Sequence, residues 1–150
     1  MRRERGFSLL ELLIVVAIIL IIATIAIPSL LRSRQAAQES SAVAQLRTIN
    51  TAEITYLSSN QGNYGDVVSL ISQGFLDSRF SGPVSGYTFV VNASGSSYTG
   101  TAMPTSGNAG RYGYYSLPDA VIHYSTQTTG CGGNAGNCFP TGQSGNPVSG

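Results

Sequence analysis

From residue 7 to residue 31 the chain reads FSLLELLIVVAIILIIATIAIPSLL, apolar at almost every position, and then the pattern changes. Glu11 is the one charge in that stretch, and residues 12–27 form a run of sixteen without a charge. At about 1.5 Å per residue a helix over 7–31 measures roughly 37 Å, enough to cross a bilayer core of about 30 Å. Helical periodicity continues over 29–59 but becomes amphipathic. Val43, Leu46, Ile49 or Asn50, Ile54 and Leu57 recur at three- to four-residue steps, while Arg34, Gln35, Gln38, Glu39, Gln45 and Arg47 mark polar faces. This half is expected to lay its apolar stripe on a sheet. Pro28 falls inside the pattern. A proline removes one backbone hydrogen bond and loosens the turn before it. The expectation is one long helix kinked at Pro28 and weakened over 23–27, where Thr24, Ile25 and Ile27 are poorer helix formers, rather than a helix that ends there. Asn60-Gln61-Gly62-Asn63 supplies the turn that closes it.

Beyond residue 60 the periodicity shortens. Residues 66–74, DVVSLISQG, predict a short helix capped by Asp66 and closed by Gly74, with Phe75, Leu76 and Phe80 in the core. Gly82-Pro83 marks a turn. Four strand-like runs follow, over 87–92, 97–103, 111–116 and 120–125, joined by short Gly-, Ser- and Pro-containing links. That spacing predicts an antiparallel meander. The fold class is therefore α+β: a long N-terminal helix packed on a sheet of about four strands.

Composition narrows the functional classes. The 150 residues are 42% hydrophobic and 10% charged, with eight arginines, seven acids and no lysine. A chain so sparsely charged offers no basic nucleic-acid platform and is not a charge-rich disordered segment. No Gly-rich phosphate loop follows a strand and opens a helix. Asp66, Asp77 and Asp119 are scattered, so no acid pair for acid–base catalysis is evident. The lone histidine, His123, lies in a strand and reads as a surface or packing residue rather than a catalyst. Cys131 and Cys138 bracket Gly-Gly-Asn-Ala-Gly-Asn; the pair reads as a disulfide if the domain is exported and as free thiols if it is not. With His123 the two cysteines make only three ligands, short of a closed zinc site. Asn92-Ala93-Ser94 matches a glycosylation sequon. Phe7 is the one aromatic residue before Tyr56, which leaves no continuous aromatic stack along the N-terminal helix.

The basic start MRRERG followed by an apolar run also fits a signal peptide, with Thr24-Ile25-Ala26 as a passable cleavage site, or a plain signal anchor. Neither accounts for Glu11, because an acid in a membrane segment is costly. Arg5-Gly6-Phe7-Ser8-Leu9-Leu10-Glu11-Leu12 gives that acid a place. Here the chain resembles the type IV pilin and pseudopilin family, whose pattern is a short basic leader ending in Gly, an aromatic or apolar residue, Ser or Thr, and Glu at the fifth mature position, ahead of an unbroken apolar helix. The resemblance covers residues 5–31, and the short leader with Phe at the first mature position is similar to the type IVa subclass.

The resemblance implies a six-residue leader, 1–6, removed by a prepilin peptidase between Gly6 and Phe7, and N-methylation of Phe7. It implies a filament-core helix half over 7–31, an amphipathic half over 32–59 and a globular domain over 60–150 ending in a flexible tail. Pilins also carry a proline at the position of Pro28 and often a C-terminal disulfide loop, which here means Cys131–Cys138. Glu11 is expected to neutralise the α-amino group of Phe7 on an adjacent subunit, since a lone carboxylate among apolar helices needs a partner. The implied function is a non-enzymatic structural subunit, without cofactor or metal. It is held in the inner membrane, N-terminus cytoplasmic and C-terminal domain periplasmic, and polymerises into a surface filament. Partners are identical subunits, the peptidase, the assembly machinery and membrane lipid, with no nucleic-acid site. The alternatives are a minor pilin or type II secretion pseudopilin and, from another class, a membrane-anchored periplasmic enzyme or binding domain.

Overall fold

The computed structural model describes residues 7–126 and 146–148. Helix α1 spans Leu9–Ser59 as one helix with Pro28 inside it. It is followed by α2 (Val67–Ser72), a 3-10 turn (Ser78–Ser81) and five strands: β1 (Tyr87–Ser94), β2 (Ser97–Pro104), β3 (Tyr112–Ser116), β4 (Ile122–Thr126) and β5 (Asn146–Pro147). The chain divides into two compact units, Met1–Arg34 and Gln35–Gly150.

In the second unit the strands pair in chain order as one antiparallel sheet, β1-β2-β3-β4-β5. The β1–β2 hairpin turns through Gly95-Ser96, with Ser94 opposite Ser97 and Gly95 at φ +55°, a conformation that favours glycine. A second tight turn, Ser85-Gly86, was not foreseen; both residues have positive φ, and Val84 and Tyr87 exchange backbone hydrogen bonds across it. Ala120 at φ +58° ends the 117–120 turn, so β4 starts at Ile122 rather than at residue 120. The expectation of about four strands gains a fifth. His123 pairs with Pro147 and Tyr124 with Asn146, and Val148 N–H donates to the Ile122 carbonyl at 2.8 Å. Proline is admissible there because β5 is an edge strand.

The core lies between residues 42–52 of α1 and one face of the sheet. Ala42, Leu46, Ile49 and Ala52 meet Phe89, Val91, Tyr98, Ala102 and Ile122, and Leu70, Leu76 and Phe80 close one end. Gly100 lets the helix approach: a Cβ there would sit 3.3 Å from Leu46 Cδ1. The expected stripe holds at Leu46, Ile49 and Asn50 and is corrected at its flank. Ile54 is 54% exposed, whereas Glu39, read as a polar-face residue, is buried. The buried residues of α1 are Glu39, Ala42, Leu46, Ile49, Asn50, Ala52 and Glu53. Asp66 caps α2 as expected, its carboxylate accepting from Ser69 N–H at 2.8 Å, and hydrogen bonds from Ser69 hold that carboxyl below the ordinary aspartate range. Asp77 caps the 3-10 turn in the same way, through Arg79 N–H.

Candidate functional site

Two constellations stand out, one in each unit. In the first unit, Phe7 and Ser8 precede α1, and the Ser8 carbonyl accepts from the amides of Glu11 and Leu12. The Glu11 carboxylate turns back on its own helix start, where Oε2 accepts from Ser8 N–H at 3.1 Å. This satisfies one of the donors that every helix leaves open at its N-terminus, and places negative charge at the positive end of the helix dipole. From Phe7 to Leu31 the large apolar side chains are exposed on every side of the helix. Helix α1 is long and, in its N-terminal part, apolar enough to cross a membrane. An apolar area this large is not stable in water; it needs lipid or other protein around it. Pro28 lies within α1, and its missing N–H leaves the Thr24 carbonyl without the usual helical donor. The Thr24 hydroxyl meanwhile donates to the Ile21 carbonyl at 2.7 Å.

In the second unit the buried polar residues of α1 each hold a different loop. Glu39 Oε1 accepts from the Arg111 backbone N–H at 2.8 Å, and its two oxygens grip the Arg111 guanidinium at 3.2 and 3.1 Å. Asn50 Oδ1 accepts from Tyr98 OH at 2.9 Å, while Asn50 Nδ2 reaches the Ala120 carbonyl at 3.4 Å. Glu53 Oε2 accepts from Gly65 N–H at 3.1 Å. Gln35 adds a bond to the Gly107 carbonyl at 2.9 Å. Burial pushes the hydroxyls of Tyr98 and Tyr114 up to about 12, so both remain neutral donors. These ties were not foreseen. The available signal was the spacing: Glu39, Ala42, Leu46, Ile49 and Glu53 step by three and four residues just as the apolar positions do.

An open groove of about 560 Å³ runs along residues 36–47 of α1, with Tyr112, Tyr114, Tyr124 and Val148 opposite. Its charged side chains are Glu39, already committed to Arg111, and Arg47. His123 is buried and stacks on Tyr115 with ring centroids 5.1 Å apart. Among the described residues no three His, Cys, Asp or Glu side chains converge as a metal site. The structure thus brings Phe7, Ser8 and Glu11 together at one helix start and sets Pro28 inside that helix. Gly6, Cys131 and Cys138 lie outside the described residues.

Residues 1–27 match the family model described as the prokaryotic N-terminal methylation motif. Over 128 residues the chain is 33% identical to the type IV wide pilus major component PilA4 of Thermus thermophilus, an alignment covering 85% of this chain and 92% of that protein. It is 40% identical over 77 residues to the type IV major pilin protein PilA of Myxococcus xanthus, covering 51% of this chain and 34% of that protein. No solved structure matches. A methylation motif at the exposed apolar helix, together with similarity to a major pilin along nearly its whole length, establishes that the chain belongs to the type IV pilin family, the structural subunits of type IV pili.

Proposed function

We propose that this pilin is a repeating subunit that waits in the inner membrane and polymerises through residues 7–31 into a surface filament. The observation that carries the reading is the apolar side of α1, exposed all round from Phe7 to Leu31 with Glu11 as its one charge. Lipid can cover that surface before assembly, with the N-terminus cytoplasmic and the C-terminal domain periplasmic. Neighbouring copies can cover it afterwards. A prepilin peptidase cuts between Gly6 and Phe7 and Phe7 is N-methylated, leaving a cationic amine four residues from Glu11. The amine of one subunit then faces Glu11 of the next, and the inner-membrane assembly machinery drives the transfer. A buried pair of this kind sets register more than it adds net stability. Pro28 gives the helix a point of compliance during packing. Cys131 and Cys138 form a disulfide in the oxidising periplasm. The subunit has no catalytic role.

The experiment expresses Glu11→Ala as the sole pilin in its host, verifies membrane levels by immunoblot and counts sheared surface filaments by electron microscopy. Removing one partner of a buried pair costs about 3–5 kcal/mol. Filaments are therefore expected to fall to a small fraction of wild type while the subunit persists in the membrane. Abundant normal filaments contradict the pairing.

A further inference from the structure

Glu53 stands apart from the other buried polar residues. Its side chain is fully enclosed, 0% exposed, in the core beneath the loop that follows α1. Glu39 has a guanidinium to neutralise it; Glu53 has only one N–H donor, that of Gly65, and its Oε1 has no hydrogen-bond partner among the described residues. The titratable groups that act on this site are acids: Asp66 in the loop acts on Glu53 directly, and Glu53 in turn acts on Tyr98 of β2, which Tyr64 and Asp119 also face. A buried carboxylate without a cation is expensive, and a protein relieves that cost by keeping the proton.

The loop itself is packed tightly over this carboxyl. A Cβ on Gly65 would sit 2.9 Å from the Tyr56 ring, so the backbone is pressed against α1 here. One residue earlier, Tyr64 N–H donates to the Gly95 carbonyl at the tip of the β1–β2 hairpin, and the Tyr64 ring lies 4.7 Å from that of Tyr98. The contact between Glu53 and Gly65 therefore joins three pieces of the domain: the end of α1, the 60–66 loop and the hairpin tip.

We propose that Glu53 is a proton-controlled latch on the 60–66 loop: as a neutral carboxyl it stays sealed beneath the loop, and on ionisation the buried charge, which the single Gly65 N–H cannot offset, favours opening of the loop to water. The inference is independent of how the filament assembles. Burial raises the Glu53 carboxyl above its ordinary value of 4.5, the Gly65 hydrogen bond opposes the rise, and the like charge of Asp66 adds to it. A carboxyl that binds its proton more tightly when folded contributes stability that is fully present below about 4.5 and is lost as pH rises through the folded value. Each unit of that rise is a tenfold change in the unfolding constant.

The test compares wild type with Glu53→Gln, a neutral side chain of the same shape, as full-length protein in detergent micelles, by unfolding at a series of pH values from about 4 to about 8. The ratio of the wild-type to the Glu53→Gln unfolding constant is expected to rise across that range. A ratio independent of pH, or one that falls as pH rises, overturns the latch. Where Glu53→Gln does not fold, ¹³C-glutamate NMR of the wild type decides. The domain carries only two glutamates, Glu39 and Glu53. The resonance assigned to Glu53 is expected to titrate above 4.5, accompanied by faster hydrogen exchange at the Gly65 amide. Titration of Glu53 at or below 4.5 overturns the proposal.

Discussion

At the scale of single residues, the polar side chains buried under α1 decide where the loops of the domain sit. Glu39 is the strongest of these ties, because it accepts from a backbone amide as well as from a guanidinium. Glu39→Ala leaves the Arg111 amide without its acceptor, and losing one partner of a buried hydrogen bond costs about 1–3 kcal/mol. Chemical unfolding of the full-length protein in detergent should show that loss. Arg111→Ala keeps the backbone bond and strips the buried Glu39 carboxylate of its cation, so it measures the ion pair apart from the backbone bond. Equal losses in the two variants would mean that the ion pair, not the backbone bond, carries the contact. None of this was legible in the sequence. A glutamate between Gln38 and Ser40 reads as solvated surface, and its partner lies 72 positions away.

At the scale of elements, more could be read. Each of the first four strands was located to within two residues of its observed start, because Gly-, Ser- and Pro-containing links punctuate them and each pairs with its neighbour in the chain. The short helix 66–74 was legible from its Asp66 cap, a local signal that needs no tertiary information. The orientation of the amphipathic half of α1 was legible in part. Leu46, Ile49 and Asn50 of the expected stripe are buried and Val43 packs against the core, but Ile54 is exposed, and Glu39, Ala42 and Glu53 complete the buried face in its place. Their small or charged side chains hid that flank of the stripe. Leu46→Ala should cost about 2–5 kcal/mol, and Ile54→Ala should stay within about 0.5 kcal/mol as an exposed substitution. Unfolding curves of the two variants check this orientation; a larger loss for Ile54→Ala would reverse it. β5 escaped notice because two residues of strand carry no periodicity, and it forms only by pairing with β4.

At the scale of the whole molecule, the unit that carries assembly was the most legible. Sixteen uncharged residues, one acid and a Gly-Phe junction are all local features, and residues 1–27 match the methylation motif as a block. The structure adds that Glu11 already caps its own helix through Ser8, so the carboxylate is oriented before any neighbour arrives. What remains physically demanding is the exposed apolar surface, which needs lipid or other protein around it, and the proposed path from membrane to filament supplies both in turn. The most direct test of this account is intact-mass and N-terminal peptide mass spectrometry of the subunit recovered from sheared surface filaments. The account predicts that this chain is the bulk of the filament and begins at an N-methylated Phe7. A chain absent from the filaments, or a mature protein that begins at Ile27, would contradict it.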